Sequence, residues 1–149
     1  MGMLLDDRTA VIYGGGGAIG GAVARAFARE GATVHLAGRT PATLDAVADD
    51  IRAAGGSAET AVADALDERA VDEHADAVAA TGGGIDISFN AISHNSVHGT
   101  PMAEMALDDF AGEIATMVGT TFLTARAAAR PSIVGLTMLS TIFSRPSKP

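Results

Sequence analysis

Four consecutive glycines cut short an apolar run, in the stretch Ala10-Val11-Ile12-Tyr13-Gly14-Gly15-Gly16-Gly17-Ala18-Ile19-Gly20-Gly21. Directly behind them apolar residues resume at Ile19, Val23, Ala26 and Phe27, spacings that share one helical face. Strand, tight turn and helix therefore follow one another without a break. Glycines at such a junction let the backbone reverse through positive φ and keep Cβ atoms away from a ligand lying over the turn. The helix start offers free N–H groups and the positive end of a dipole, which suits a pyrophosphate. Gly15-x-Gly17-x-x-Gly20 fits the GxGxxG spacing, although a run of glycines fits several registers at once, so the context carries the inference. The helix closes at Glu30-Gly31 and a second strand, Thr33 to Ala37, follows. A dinucleotide-binding crossover is expected, the alternative being a glycine turn that binds nothing.

The elements continue to alternate along the chain. Thr40 is placed to cap a helix with Pro41 at its first position, and Leu44, Val47, Ala48 and Ile51 mark its buried side before Gly55-Gly56. A strand from Ala58 to Ala63 ends at Asp64, and a helix from about Asp67 to Ala80 turns Val71, Ala75 and Val78 inward. Beyond Gly82-Gly83-Gly84 come a strand from Ile85 to Asn90, a polar loop from His94 to Thr100, a long helical pattern from Leu107 to Arg130 stopped by Pro131, and an apolar segment from Ile133 to Leu139 that reads as strand five. Strands separated by helical patterns argue for right-handed β-α-β units and a parallel sheet. The expected fold is α/β, a Rossmann-like doubly wound parallel sheet of order 3-2-1-4-5, with residues 1–140 forming one dinucleotide-binding domain and 141–149 a disordered tail. Ligands of such sheets sit beyond the carboxyl ends of the strands, so the residues after each strand are the ones to inspect.

Composition narrows the function classes. A chain of 149 residues makes about one domain with one core. A net charge of −8 argues against a general nucleic-acid or anionic-membrane surface, no apolar run reaches the roughly 18 residues of a membrane span, and the start, lacking a basic n-region, is not expected to be a signal peptide. Without cysteine there is neither a disulfide framework nor thiol chemistry. A cytoplasmic protein is the expectation. Every Asp and Glu lies at or before Glu113, while the rest of the chain carries only Arg126, Arg130, Arg145 and Lys148. His94 and His98 lie on a loop without a third ligand at metal-site spacing and read as surface residues, and His35 and His74 read as structural. No metal is expected.

In a second register, Tyr13-Gly14-x-x-x-Ala18-Ile19-Gly20 resembles the TGxxxGIG segment of the short-chain dehydrogenase/reductase family, with Tyr13 in the place of threonine and Ala18 in the place of glycine. Phe89-Asn90-Ala91-Ile92-Ser93 is similar to that family's NNAG motif, keeping the first asparagine. The resemblance covers about residues 6 to 140 and implies a nicotinamide dinucleotide held by Gly14, Gly16, Gly17, Ala18, Ile19 and Gly20 at the turn. It adds Asp64 and Ala65 against the adenine, Asn90 as cofactor support, and Ala91 and Ile92 near the adenine ribose; a solvent-facing loop aspartate is the alternative for Asp64. After strand two, where a carboxylate would accept from a ribose 2′-hydroxyl, the chain has Arg39 with Thr40 beside it. An arginine fork suits a 2′-phosphate, so NADP is expected over NAD, the alternative being a solvated arginine at a helix start.

The chemistry meets an absence. Ketone reduction by a nicotinamide needs a proton donor beside the developing alkoxide. The resembling family uses a tyrosine, a lysine four residues later and a serine after strand five. This chain has one tyrosine, Tyr13, and its single lysine, Lys148, does not stand in that relation to it. Ser140 is the candidate for the serine, and the family's long-helix asparagine would fall near Met117. The expectation is a family member shortened after strand five: an NADP-dependent oxidoreductase of a small carbonyl or alcohol substrate by resemblance, alternatively a non-catalytic dinucleotide-binding or regulatory module, or an inactive fragment. An uncovered sheet edge and Ile114, Val118 and Phe122 left without a neighbour would make it homo-oligomeric or aggregation-prone.

Overall fold

The computed structural model describes residues 2–93, 99–130, 137–139 and 142–144. Its first strand, β1 (Thr9–Tyr13), is buried along its whole length. Such a strand must lie inside a sheet covered on both faces. Alternate residues serve the two faces. Ala10 and Ile12 join Val34, Leu36, Ala58 and Ile87 on one side, and Val11 and Tyr13 join Ala37 and Ile85 on the other.

The first side is covered by α1 (Ala18–Arg29) and α2 (Pro41–Ala53), which flank β2 (Thr33–Gly38) in the chain. In α2 the buried residues are Leu44, Val47, Ala48 and Ile51, as their spacing requires. In α1 the buried residues are Gly20, Gly21 and Ala24, with Val23 and Phe27 packed beside the core. Ile19, expected on that inward face, is 70% exposed, because small residues bring the helix start close to the sheet and turn the first-turn isoleucine outward. Gly31, at φ +94°, follows the helix in the left-handed conformation that ends it.

The second side is covered by α3 (Glu68–Gly82), which buries Val71, Ala75 and Val78, and by α4 (Leu107–Ala129), which contributes Ala127 and Ala128. Asp67 caps α3 by accepting from the Arg69 and Ala70 N–H groups at 3.0 and 3.2 Å. Arg126 of α4 reaches Glu68 at 2.6 Å and Asp72 at 3.2 Å, and Arg130 reaches Asp72 at 2.6 Å. The separation of charge along the sequence is thus resolved across one helix pair.

The sheet is parallel from β3 (Ser57–Val62) through β2 and β1 to β4 (Ile87–Asn90), the order 3-2-1-4. Beyond β4 the expected parallel fifth strand is not the neighbour. That place is taken by β6 (Ile142–Ser144), antiparallel to β4, with β5 (Thr137–Leu139) outside it. β5 and β6 are antiparallel to each other. β5 therefore runs in the same sense as β4, as a crossover through α4 demands, one place further out. β6 lies within the stretch expected to be a tail, whose residues 145–149 fall outside those described. No helix among the described residues is long and apolar enough to cross a membrane.

Candidate functional site

At the carboxyl end of β1 the chain turns through Gly14, held at φ +75° with its N–H donated to Ala37 O at 2.8 Å. A side chain at Gly14 would place Cβ 2.6 Å from the carbonyl oxygen of Ala91, and one at Gly20 would collide with the carbonyl of Gly14 itself. The turn is thus folded tightly on the end of β4 and the start of α1, and the register that the geometry uses is Gly14 to Gly20. Gly16 abuts the side chain of Thr43, whereas a Cβ at Gly17 would meet only Gly14 O at 3.3 Å. Gly17 occupies the N-cap position, no side chain accepts from the first turn of α1, and no acidic residue lies in that turn. Its free N–H groups and positive dipole end face solvent beside exposed Gly17, Ala18 and Ile19.

A cleft of about 280 Å³ opens over this turn. Gly14, Gly16 and Gly17 form its floor, Arg39, Thr40 and Thr43 one end, Asp64, Ala65 and Leu66 a side, and Ala91, Ile92 and Ser93 the opposite wall, closed by Thr116 and Thr120 from α4. Of the residues singled out by sequence, Gly14, Gly16, Gly17, Arg39, Thr40, Asp64, Ala65, Ala91 and Ile92 line one space. Ala18, Ile19, Gly20 and Asn90 are not among its lining residues.

Three details separate the site from its sequence reading. Thr40 holds the N-cap position of α2, yet its hydroxyl makes no capping bond; instead the Thr43 hydroxyl donates to Thr40 O at 3.0 Å. Asn90, expected as cofactor support, uses both ends of its amide within the protein: Oδ1 accepts from Ile92 N–H at 3.0 Å and Nδ2 donates to Thr120 Oγ1 at 3.0 Å. On α4 the residues lining the cleft are Thr116 and Thr120, whereas Met117, near which the family's asparagine would fall, is 46% exposed. Thr43, Leu66, Thr116 and Thr120 were missed because they lie inside helices or a loop rather than directly after a strand. Ser140, His94, His98 and Lys148 lie outside the described residues.

Arg39 is exposed and makes no hydrogen bond or ion pair among the described residues. Asp64 is the one acidic residue of the lining, and its carboxylate accepts from Leu66 N–H at 3.0 Å. Tyr13 is 1% exposed and sits edge-on to His74, their ring centres 5.9 Å apart. Burial, and secondarily the charge of Asp72, pushes its phenol above the ordinary value, so it stays protonated and away from the cleft. Among the described residues no group of His, Asp and Glu could hold a metal ion.

A parallel 3-2-1-4 sheet with a glycine turn under a cleft at the reversal of strand order defines a Rossmann-like nucleotide-binding domain. The pattern of the short chain dehydrogenase family matches residues 8–135. An uncharacterized oxidoreductase of Mycobacterium tuberculosis is 41% identical over 115 residues, covering 75% of this chain and 43% of that protein. Among solved structures, a metagenomic short-chain oxidoreductase in complex with NADP is 32% identical, with a TM-score of 0.75 over 87% of this chain and 58% of its own. An NAD⁺-bound xylitol dehydrogenase is 28% identical, with a TM-score of 0.81 over 87% of this chain and 50% of its own. The chain belongs to the short-chain dehydrogenase family of oxidoreductases. It spans about half the length of the relatives it matches.

Proposed function

We propose that these residues form the dinucleotide-binding part of an oxidoreductase, that the cofactor is NADP, and that the activity is hydride exchange with a small carbonyl or alcohol substrate. The fit rests on a cradle in which Cβ atoms at Gly14, Gly16 and Gly20 would collide with protein, beside a helix start whose N–H groups no side chain occupies. Gly14, Gly16, Gly17, Ala18, Ile19 and Gly20 bind the pyrophosphate, Asp64 and Ala65 the adenine, and Ala91 and Ile92 the ribose side. When bound, the cofactor supplies or accepts the hydride.

The choice of NADP is carried by Arg39. A guanidinium with no partner among the described residues, at the end of β2, attracts a 2′-phosphate, and the position lacks the carboxylate that would accept from a free 2′-hydroxyl. The likeness to both an NADP-bound and an NAD⁺-bound structure leaves the choice to this residue. Titrating the chain with NADPH and NADH by fluorescence tests it: tighter NADPH binding supports the reading, and equal or reversed preference overturns it.

A second reading has its own observation. The only tyrosine lies in the core, so the proton donor of the family's reaction is not among these 149 residues. Ser140 and Asn90 alone give no acid. We therefore propose that the chain by itself binds the dinucleotide without turning over a carbonyl. A panel of ketones with NADPH checks this, and measurable oxidation of NADPH would refute it.

A further inference from the structure

We propose that Thr120 is a positioning residue of the cleft: its buried hydroxyl fixes the Asn90 amide, and through it the Ala91–Ile92 wall. The inference rests on the reading of this cleft as a dinucleotide site, and it concerns a helix residue bonded to the last residue of β4. Thr120 is 1% exposed, lies on α4, and lines the cleft. Its Oγ1 accepts from Asn90 Nδ2 at 3.0 Å and has only a long contact of its own, 3.4 Å to Met117 O. With Nδ2 held there, Asn90 Oδ1 is aimed at Ile92 N–H, which it accepts at 3.0 Å. The amide cannot be turned over, because its oxygen must meet an N–H and its NH₂ a hydroxyl.

That small chain of bonds decides where the wall stands. Ala91 N–H donates to Tyr13 O at 2.8 Å, extending the β1–β4 pairing by one residue, and the Ala91 carbonyl lies directly against Gly14. Beyond Ala91 the sheet no longer holds the backbone. Ile92 N–H has Asn90 Oδ1 as its acceptor, so a loose Asn90 releases Ile92 toward the cleft floor. Thr121 offers Nδ2 a second acceptor at 3.4 Å, too long to replace the first.

The test compares three substitutions in the full chain. Thr120→Val keeps the shape and removes the acceptor; Thr120→Ser keeps the acceptor. Thr124→Val is the control, since Thr124 is equally buried one turn on, and its hydroxyl donates only to carbonyls of its own helix, Thr120 O at 2.8 Å and Thr121 O at 3.4 Å. NADPH affinity is expected to fall about tenfold in Thr120→Val, the scale of one buried hydrogen bond, and to stay within about twofold in the other two. Equal loss in Thr120→Val and Thr124→Val, or no rescue by serine, overturns the inference. Amide exchange of Ile92, followed by NMR in the free protein, decides it without a ligand. Exchange should quicken in Thr120→Val alone, and unchanged protection there refutes the proposal even if wild-type protein binds no NADPH, a result that would separately end the reading of the cleft.

Discussion

Arg39 and Gly20 show how much a single residue settles here. Arg39→Asp places a carboxylate where the 2′-phosphate of NADP is proposed to lie, replacing attraction by repulsion. Hydrogen bonds to charged groups contribute about 1.5 to 3 kcal/mol, so NADPH affinity should drop by about ten- to a hundredfold while NADH binding holds or improves. Isothermal titration with both cofactors reads this, and parallel losses for the two would show that Arg39 does not discriminate. Gly20→Ala drives a methyl into the Gly14 carbonyl, so the turn must open or the helix move away. Overpacking of this kind costs about 1 to 3 kcal/mol, visible as a lower urea midpoint, and an unchanged midpoint would mean that the turn gives way freely. Both residues were legible in the sequence, because a strand that ends in glycines admits few continuations and the residue after the second strand has a fixed place in such sheets. What the spacing left open was the register among the glycines. Contact with Ala91, a chain segment far away in sequence, selects Gly14, and the Gly14 carbonyl in turn selects Gly20.

Individual elements were legible in proportion to how one-sided they are. Leu44, Val47, Ala48 and Ile51 in α2, and Val71, Ala75 and Val78 in α3, were named from spacing and are the buried residues, since each helix has one apolar stripe and one sheet to face. α4 is apolar on two sides: Ile114, Val118 and Phe122, named as a face without a neighbour, are exposed, while Thr116 and Thr120, which line the cleft, were not named. The segment after α4 was ambiguous for another reason: a short apolar run reads alike in a parallel strand and in a hairpin. Nor did any pattern bring His35 and His74 together, in β2 and α3, around one small cavity with Glu59 and Thr81. His74 Nδ1 is buried without a hydrogen-bond partner among the described residues. Burial, and secondarily the nearness of His35, brings the imidazole down to about 4, and burial lowers His35 too, against the charge of Glu59. Between about 4 and the ordinary value near 6.5, the unfolded chain binds a proton at His74 that the folded chain does not. Stability should therefore fall as pH drops through that window and level off for this group below it. Thermal melts at intervals from pH 7 to 4 should show a smaller decline in His74→Leu than in the wild type, and identical slopes would show that His74 takes no part.

At the scale of the whole molecule, one face of α4 stands unsatisfied. Inward, Thr120, Thr124, Ala127 and Ala128 meet the sheet and α3, and Arg126 and Arg130 are tied to the acids of α3. Outward, Leu107, Phe110, Ile114, Met117, Val118 and Phe122 remain exposed at spacings of three, four and one, with Phe122 60% exposed. Met102, Met105, Leu107 and Phe110 also line an apolar hollow beside the helix start. A continuous apolar stripe on a helix of 23 residues is more than scattered surface hydrophobes, and its burial would gain roughly 25 cal/mol for each Å² removed from water. The acids on α4, Asp108, Asp109 and Glu113, lie toward its start, so the middle of the stripe carries little charge to oppose a second copy. We expect the 149-residue chain to self-associate through this face, with an equilibrium that strengthens on warming from the cold and responds weakly to salt, as hydrophobic burial does and ion pairing does not. Ile114→Lys with Phe122→Lys should shift sedimentation velocity toward the monomer while leaving NADPH binding alone, since neither residue lines the cleft. A wild-type chain that sediments as a monomer at every concentration tried, or a double variant that associates just as strongly, would place the association elsewhere or nowhere.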